Sequence, residues 1–263
     1  MMSLLLGVDV PPVSHVTIWE SGPLGFNKTA AVYVFATLAT ILIFVLGTRR
    51  KDALVPSGLL QNTAESGVAF VRNQIILQTM GTDGLKYLPY LTGLFFFLFF
   101  SNITEVIPGV QFPANARLGM PLVLAMITWG IYNVVGVVKQ GPWTYFKNSC
   151  FPPLGEMPIF AKIPMYCLVA PIEFVSAFIV RPFSLMVRLF ANMLAGHLIL
   201  VTFAVLTAAL VEAGTVLGYV VFPFSFFLLV AMTGFEVLVA FLQAFIFAIL
   251  TGVYIGGSMH PEH

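Results

Sequence analysis

Charge is scarce in this 263-residue sequence: Asp, Glu, Lys and Arg together make up 9% of it, against roughly 25% in soluble domains. Hydrophobic residues make up 59%, more apolar surface than a single soluble core can hide. The composition therefore predicts a polytopic membrane protein. Cysteine is rarer still: only Cys150 and Cys167 occur, without CxxC spacing or a companion histidine cluster, so neither a disulfide scaffold nor a metal site is indicated. The formal net charge of +1 provides no field to attract nucleic acid. No GxxxxGK pattern is present to cradle a nucleotide phosphate, and the residues call for no cofactor. A basic, cleavable leader is also missing, so the amino terminus is expected to belong to the mature chain.

What is present is long apolar runs, and 26 phenylalanines that suit helix packing better than the alternating pattern of a membrane β-barrel. The expected fold is an all-α integral membrane protein in one membrane domain over residues 1–263. Residues 1–28, rich in proline and glycine, read as an ordered loop or short surface segment. A first span is expected at 29–48, stopped by Arg49, Arg50 and Lys51, which by the positive-inside rule lie in the cytoplasm and leave the amino terminus outside. Residues 57–80 interleave Glu65, Arg72, Asn73 and Gln74 with apolar positions. That pattern predicts an amphipathic helix on the cytoplasmic surface, with a soluble loop helix as the alternative.

Further spans are expected at 87–106 and 118–138, followed by a proline-rich inner loop holding Cys150, Pro152, Pro153 and Pro158. Beyond it, apolar sequence continues almost to the end, with Pro171 and Pro182 expected to break or kink its first part. Residues 165–212 and 221–258 are too long for perpendicular crossings of a ~30 Å core. Each is either a strongly tilted helix or breaks at a glycine into a span and a re-entrant piece; the expectation is two strongly tilted helices in an antiparallel hairpin, turning near Gly218 and Pro223, with the carboxyl terminus in the cytoplasm.

The few polar residues inside these runs carry the chemistry. Arg188 is a permanent cation, and placing one at bilayer depth costs ~2.5 to 3.5 kcal/mol even on the mildest insertion scale. In a hairpin turning near residue 216, Arg188 falls level with Gln243, and His197 with Glu236. Asn192 shares a helix face with Arg188, whereas His197 is turned about 180° from it and set roughly 13 Å along. Glu236 and His197, with Glu105 from the outer end of the second span, are titratable groups suited to relaying protons. Arg188 cannot relay; it can hold a passing carboxyl group ionised and block direct proton passage. Plainer readings stay open: a snorkelling or carboxylate-paired arginine, a His197–Glu236 pair that only fixes packing, and Asn192 and Gln243 as interhelical hydrogen-bonding residues.

The run PIEFVSAFIVRPFSLMVRLFANMLAGHLIL at 171–200, FEVLVAFLQAFIFAILTGVYI at 235–255, and the weaker SNITEVIPG block at 101–109 resemble subunit a of F-type ATP synthases. The resemblance covers most of residues 85–257. It implies a non-catalytic stator subunit with two offset proton half-channels, facing a ring of c subunits, held by peripheral-stalk b subunits and joined to the rest of the F1Fo complex in a lipid bilayer. Arg188 would face the ring with Asn192 and Gln243 beside it. His197 and Glu236 would line the outer half-channel, Asn102 and Glu105 would lie near its mouth, and Glu173 and Ser176 would lie on the inner side. Relative to the enteric bacterial pattern, histidine and glutamate are exchanged between positions 197 and 236.

The length of the amino-terminal region favours a bacterial plasma membrane over a mitochondrial inner membrane. A proton-coupled secondary transporter is the competing function, although no second copy of the 188–197 pattern occurs. A haem-binding subunit lacks a second histidine within a span.

Overall fold

The computed structural model describes residues 28–47, 58–107, 114–150, 159–212 and 216–259. The expectations for residues 1–27, for the Arg49–Lys51 cluster and for the loop prolines at 152, 153 and 158 fall outside them. Every regular element among the described residues is helical, and five helices are long and apolar enough to cross a membrane. The fold is an all-α membrane protein.

Helix α1, Lys28–Gly47, is followed by α2, Leu59–Phe70, which runs through a π-helical turn, Val71–Ile76, a last α turn, Leu77–Thr79, and a 3-10 segment, Gly81–Tyr87. Helix α3 is Leu88–Ile103 and α4 is Gly119–Gln140. A short α5, Pro142–Cys150, occupies part of what the sequence suggests is a loop. Its start is set by two residues. Gly141 has a φ of 83°, a conformation that L side chains resist, and ends α4. Pro142 then opens α5, where its missing N–H would have had no helical acceptor.

Helix α6, Ile159–Val175, passes through a π-helical turn, Ser176–Val180, into α7, Arg181–Glu212, and α8 runs from Val216 to Met259. Neither Pro171 nor Pro182 breaks the backbone, and Pro223 lies inside α8 instead of at its start. At 44 residues α8 is about 66 Å long, roughly twice the thickness of a hydrocarbon core.

The chain divides into two compact units, Met1–Ile41 with Phe96–Ala116 and Ala191–Ala244, and Leu42–Phe95 with Arg117–Phe190 and Phe245–His263. In the first, α7 and α8 touch through Thr207 and Ser225, whose hydroxyls are 2.8 Å apart, and through Asn192 and Gln243. One residue number falls as the other rises, so these two stretches run antiparallel. In the second unit, Val71, Ile75 and Ile76 are fully buried, while Arg72, Asn73 and Gln74 on the opposite face are exposed. Phe70 packs against Phe95 and Phe245 with ring centroids 5.7 and 5.5 Å apart. Gly252 and Gly256, one helical turn apart on α8, face Thr79; a Cβ on either would meet its hydroxyl or carbonyl. Close backbone approach over a small-residue stripe is the usual way for helices to pack where lipid removes the hydrophobic drive.

Tyr145 of α5 folds back over Gly136 and donates its hydroxyl to Asn133 Oδ1 at 3.0 Å. Burial pushes its pKa above the ordinary phenol value and keeps that donor protonated. Both cysteines are free thiols, Cys150 buried and Cys167 exposed.

Candidate functional site

The site is assembled in the first unit from three stretches of chain. At the end of α3 the backbone winds one further turn, with the Glu105 N–H donating to the Asn102 carbonyl at 3.2 Å and the Thr104 hydroxyl to the Ser101 carbonyl at 2.8 Å. These bonds use carbonyls that the helix end leaves open, and they set the Glu105 side chain one turn from Asn102. Glu105 Oε1 lies 3.4 Å from His197 Nδ1 of α7. Only 2% of Glu105 and 8% of His197 is exposed, so the pair is held away from bulk solvent.

Glu236 of α8 completes the cluster. It is buried, and its carboxylate lies against the backbone of α7 at Gly196, where any Cβ would overlap it. The glycine before His197 thus has a steric reason: it lets a carboxylate reach the helix surface beside the imidazole. Two carboxyl groups and one imidazole share one buried space and can pass protons among themselves and to water.

About two turns from this cluster, Asn192 Nδ2 donates to Gln243 Oε1 at 2.8 Å. Gln243 is buried and its Nε2 has no hydrogen-bond partner among the described residues, while Asn192 is exposed. Gln243 bonds to Asn192, one helical turn along from Arg188 on α7. Arg188 is half-buried, and its side chain makes neither a hydrogen bond nor an ion pair among the described residues. The same is true of the side chains of Glu173, near the end of α6, and Ser176, the first residue of the π-helical turn; both are half-buried.

The structure thus gathers Glu105, His197 and Glu236, with Asn102 one turn away, and separately joins Asn192 to Gln243. Among the described residues it forms no such cluster around Glu173 and Ser176. Sequence reasoning missed Asn115, Ser101 and Tyr33. Asn115 Nδ2 donates to Asn102 Oδ1 at 2.7 Å and to Ser101 Oγ at 3.0 Å, and the Tyr33 hydroxyl meets Asn115 Oδ1 at 3.0 Å. An asparagine in a short turn and a tyrosine in a first span carry no signal of their own. The buried Asn102 beside them was the available clue.

An all-helical, multi-pass membrane protein with titratable side chains buried between its helices belongs to the class that moves ions across or within a bilayer. The comparisons narrow that class. The family model described as ATP synthase A chain matches residues 30–256. The chain is 42% identical over 269 residues to an ATP synthase subunit a from Parafrankia sp. (strain EAN1pec), covering 98% of this chain and 88% of that one. A relative of the same name from Frankia alni is 41% identical over 244 residues, covering 91% and 80% of the two chains. Another, from Beijerinckia indica subsp. indica, is 35% identical over 261 residues, covering 97% and 98%. The chain belongs to the ATP synthase A chain family.

Proposed function

We propose that this chain is the stationary proton-translocating subunit of a rotary ATP synthase, guiding protons to and from a carboxylate on a ring of c subunits through two offset half-channels. The observation that carries the reading is the buried cluster of Glu105, His197 and Glu236 in a member of this family. The relatives are named as ATP synthase subunits, which leaves the secondary-transporter alternative without support.

In this reading protons arrive from outside at a mouth beside Asn102, pass by Glu105, His197 and Glu236, then neutralise a ring carboxylate. The neutral carboxyl group can face lipid because it has shed the charge that makes bilayer depth costly. After nearly a full turn it meets the inner half-channel near Glu173 and Ser176, releases its proton, and passes Arg188 as an anion. Arg188 serves by never titrating: it attracts the carboxylate and refuses the proton. Asn192 and Gln243 flank it on the ring side, their amides joined to each other.

The chain itself performs no bond-making chemistry; that belongs to other subunits of the F1Fo complex. Peripheral-stalk b subunits would hold it against rotation in a bacterial plasma membrane. The amino terminus would lie outside, with the α2 region along the cytoplasmic surface and the carboxyl terminus in the cytoplasm.

Replacing Arg188 tests the reading directly. In membrane vesicles holding the whole complex, Arg188→Ala is expected to abolish proton-driven ATP synthesis and to open a passive proton leak. Synthesis at the parental rate in that variant would remove Arg188 from the mechanism.

A further inference from the structure

The hydrogen bonds around Asn115 have a polarity that can be worked out from one proton. Ser101 donates its hydroxyl to the Leu98 carbonyl at 3.0 Å, so toward Asn115 its oxygen can only accept. The end of Asn115 that faces Ser101 must therefore be the NH2 group. That same NH2 group meets Asn102 at 2.7 Å, so Asn102 must present its Oδ1 there. The opposite end of Asn115 is then its carbonyl oxygen, and Tyr33 at 3.0 Å must be a donor to it. A second acceptor for that hydroxyl, the Ala114 carbonyl, lies at 2.9 Å and agrees with a donating tyrosine. Every amide orientation in the group follows.

What remains is the NH2 group of Asn102. Asn102 is 2% exposed, and its Nδ2 has no hydrogen-bond partner among the described residues. Glu105, one turn along and also 2% exposed, has an Oε1 with no hydrogen-bond partner among the described residues; the 3.4 Å approach of His197 Nδ1 is too long to serve as a good one. A buried donor and a buried acceptor on neighbouring turns are what a single water molecule satisfies.

We infer that Asn115 is a positioning residue: by committing the Asn102 oxygen it turns the Asn102 NH2 group toward a bound water that bridges to Glu105 Oε1. Tyr33 holds Asn115 in that orientation. Amide groups do not relay protons at neutral pH, so Tyr33, Asn115 and Asn102 form a scaffold and not a path. Protons reach Glu105 through the bridging water. The bridge favours the ionised form of Glu105, which is also faced by His197 from α7 and Glu236 from α8.

The inference deepens the outer half-channel reading and rests on it for its meaning, but its test does not require transport. In the purified complex, infrared spectroscopy follows the carboxyl stretch of protonated Glu105 as pH is varied, with the band assigned by its loss in Glu105→Gln. Asn115→Leu frees the Asn102 amide to turn its oxygen toward Glu105, and is expected to raise the midpoint of that band by about one pH unit. Tyr33→Phe, which keeps the ring and removes only the donor, is expected to move it the same way by less. An unchanged midpoint in assembled Asn115→Leu complex would overturn the inference; if that variant does not assemble, an unchanged midpoint in Tyr33→Phe does so. A displaced midpoint together with normal synthesis in Arg188→Ala would keep the positioning role and discard the channel reading.

Discussion

Two stretches of this chain handle polar atoms in opposite ways. Around Glu105 the open groups belong to side chains: Asn102 Nδ2 and Glu105 Oε1 are buried with no hydrogen-bond partner among the described residues. In the π-helical turn Ser176–Val180 the difficulty lies in the backbone. The Arg181 N–H donates to the Ser176 carbonyl, five residues back, and so leaves the Ala177 carbonyl that an α-helix would have given it. The next N–H in that register would belong to position 182, which is proline and has none. Tyr132 of α4 supplies the missing donor, its hydroxyl 2.7 Å from the Ala177 oxygen.

The first stretch thus leaves a donor and an acceptor where water or a proton can sit. The second closes its own gap with a buried phenol. On the proposed function, the contrast separates a region that changes protonation from one that keeps its shape. The side chains of Glu173 and Ser176, in and just before this turn, stay half-buried without hydrogen-bond partners among the described residues. In the proposed reading these groups only have to hand a proton to solvent, which does not require the enclosure that surrounds Glu105.

The sharpest way to break this contrast is to disturb the enclosed cluster without changing its titratable groups. Gly196→Ala adds a Cβ where the Glu236 carboxylate lies. The carboxylate is the end of a flexible side chain, so the helix is expected to survive and the carboxylate to move. A displacement near 1 Å at a reacting group lowers rates by as much as about a hundredfold, and proton-driven synthesis in Gly196→Ala vesicles should fall toward that level while assembly is retained. Near-parental synthesis would mean that the position of Glu236 is not critical.

A smaller effect is expected from exchanging the pair. His197→Glu and Glu236→His singly put like groups together beside Glu105, whereas the double exchange restores one imidazole and two carboxyl groups. Residues within one hydrogen-bonded network couple by about 0.5 to 3 kcal/mol, so the double variant should synthesise ATP several-fold faster than the product of the two single effects. Strict additivity would separate the two residues.

The membrane class and the helical runs were legible because apolar length alone reports them. Glu105, His197 and Glu236 were legible because a charged group in such a run is conspicuous. The partners of those residues were less so: the helix arithmetic set His197 level with Glu236, whereas the carboxylate at 3.4 Å from its imidazole is Glu105. Relative height along two helices says nothing about a third element. Helix α5 was hidden by the prolines that follow it, although Gly141 and Pro142 mark a helix end and a helix start. The Gly252–Gly256 spacing was readable and overlooked. Asn115 was not readable, because its role depends on where the Ser101 proton goes. The π-helical turn leaves the apolar pattern of a long helix intact and shows only as a shift of register.

That shift yields the smallest of the expected effects and the most specific one. Tyr132→Phe removes the only hydroxyl among the described residues that serves the Ala177 carbonyl and leaves a buried acceptor open, a loss of about 1 to 3 kcal/mol. The requirement for Tyr132 exists because residue 182 has no N–H. Pro182→Ala restores one, and in the π register it can reach the Ala177 oxygen. Tyr132→Phe should therefore be milder in a Pro182→Ala background than in the parental chain, with a coupling of about 1 kcal/mol in a double-mutant cycle read from thermal unfolding of the assembled complex. A tyrosine that merely filled space between α4 and the turn would lose the same stability in both backgrounds, because the ring is unchanged and only its hydroxyl is gone. Equal losses would therefore assign Tyr132 to packing and leave the Ala177 carbonyl to find another donor.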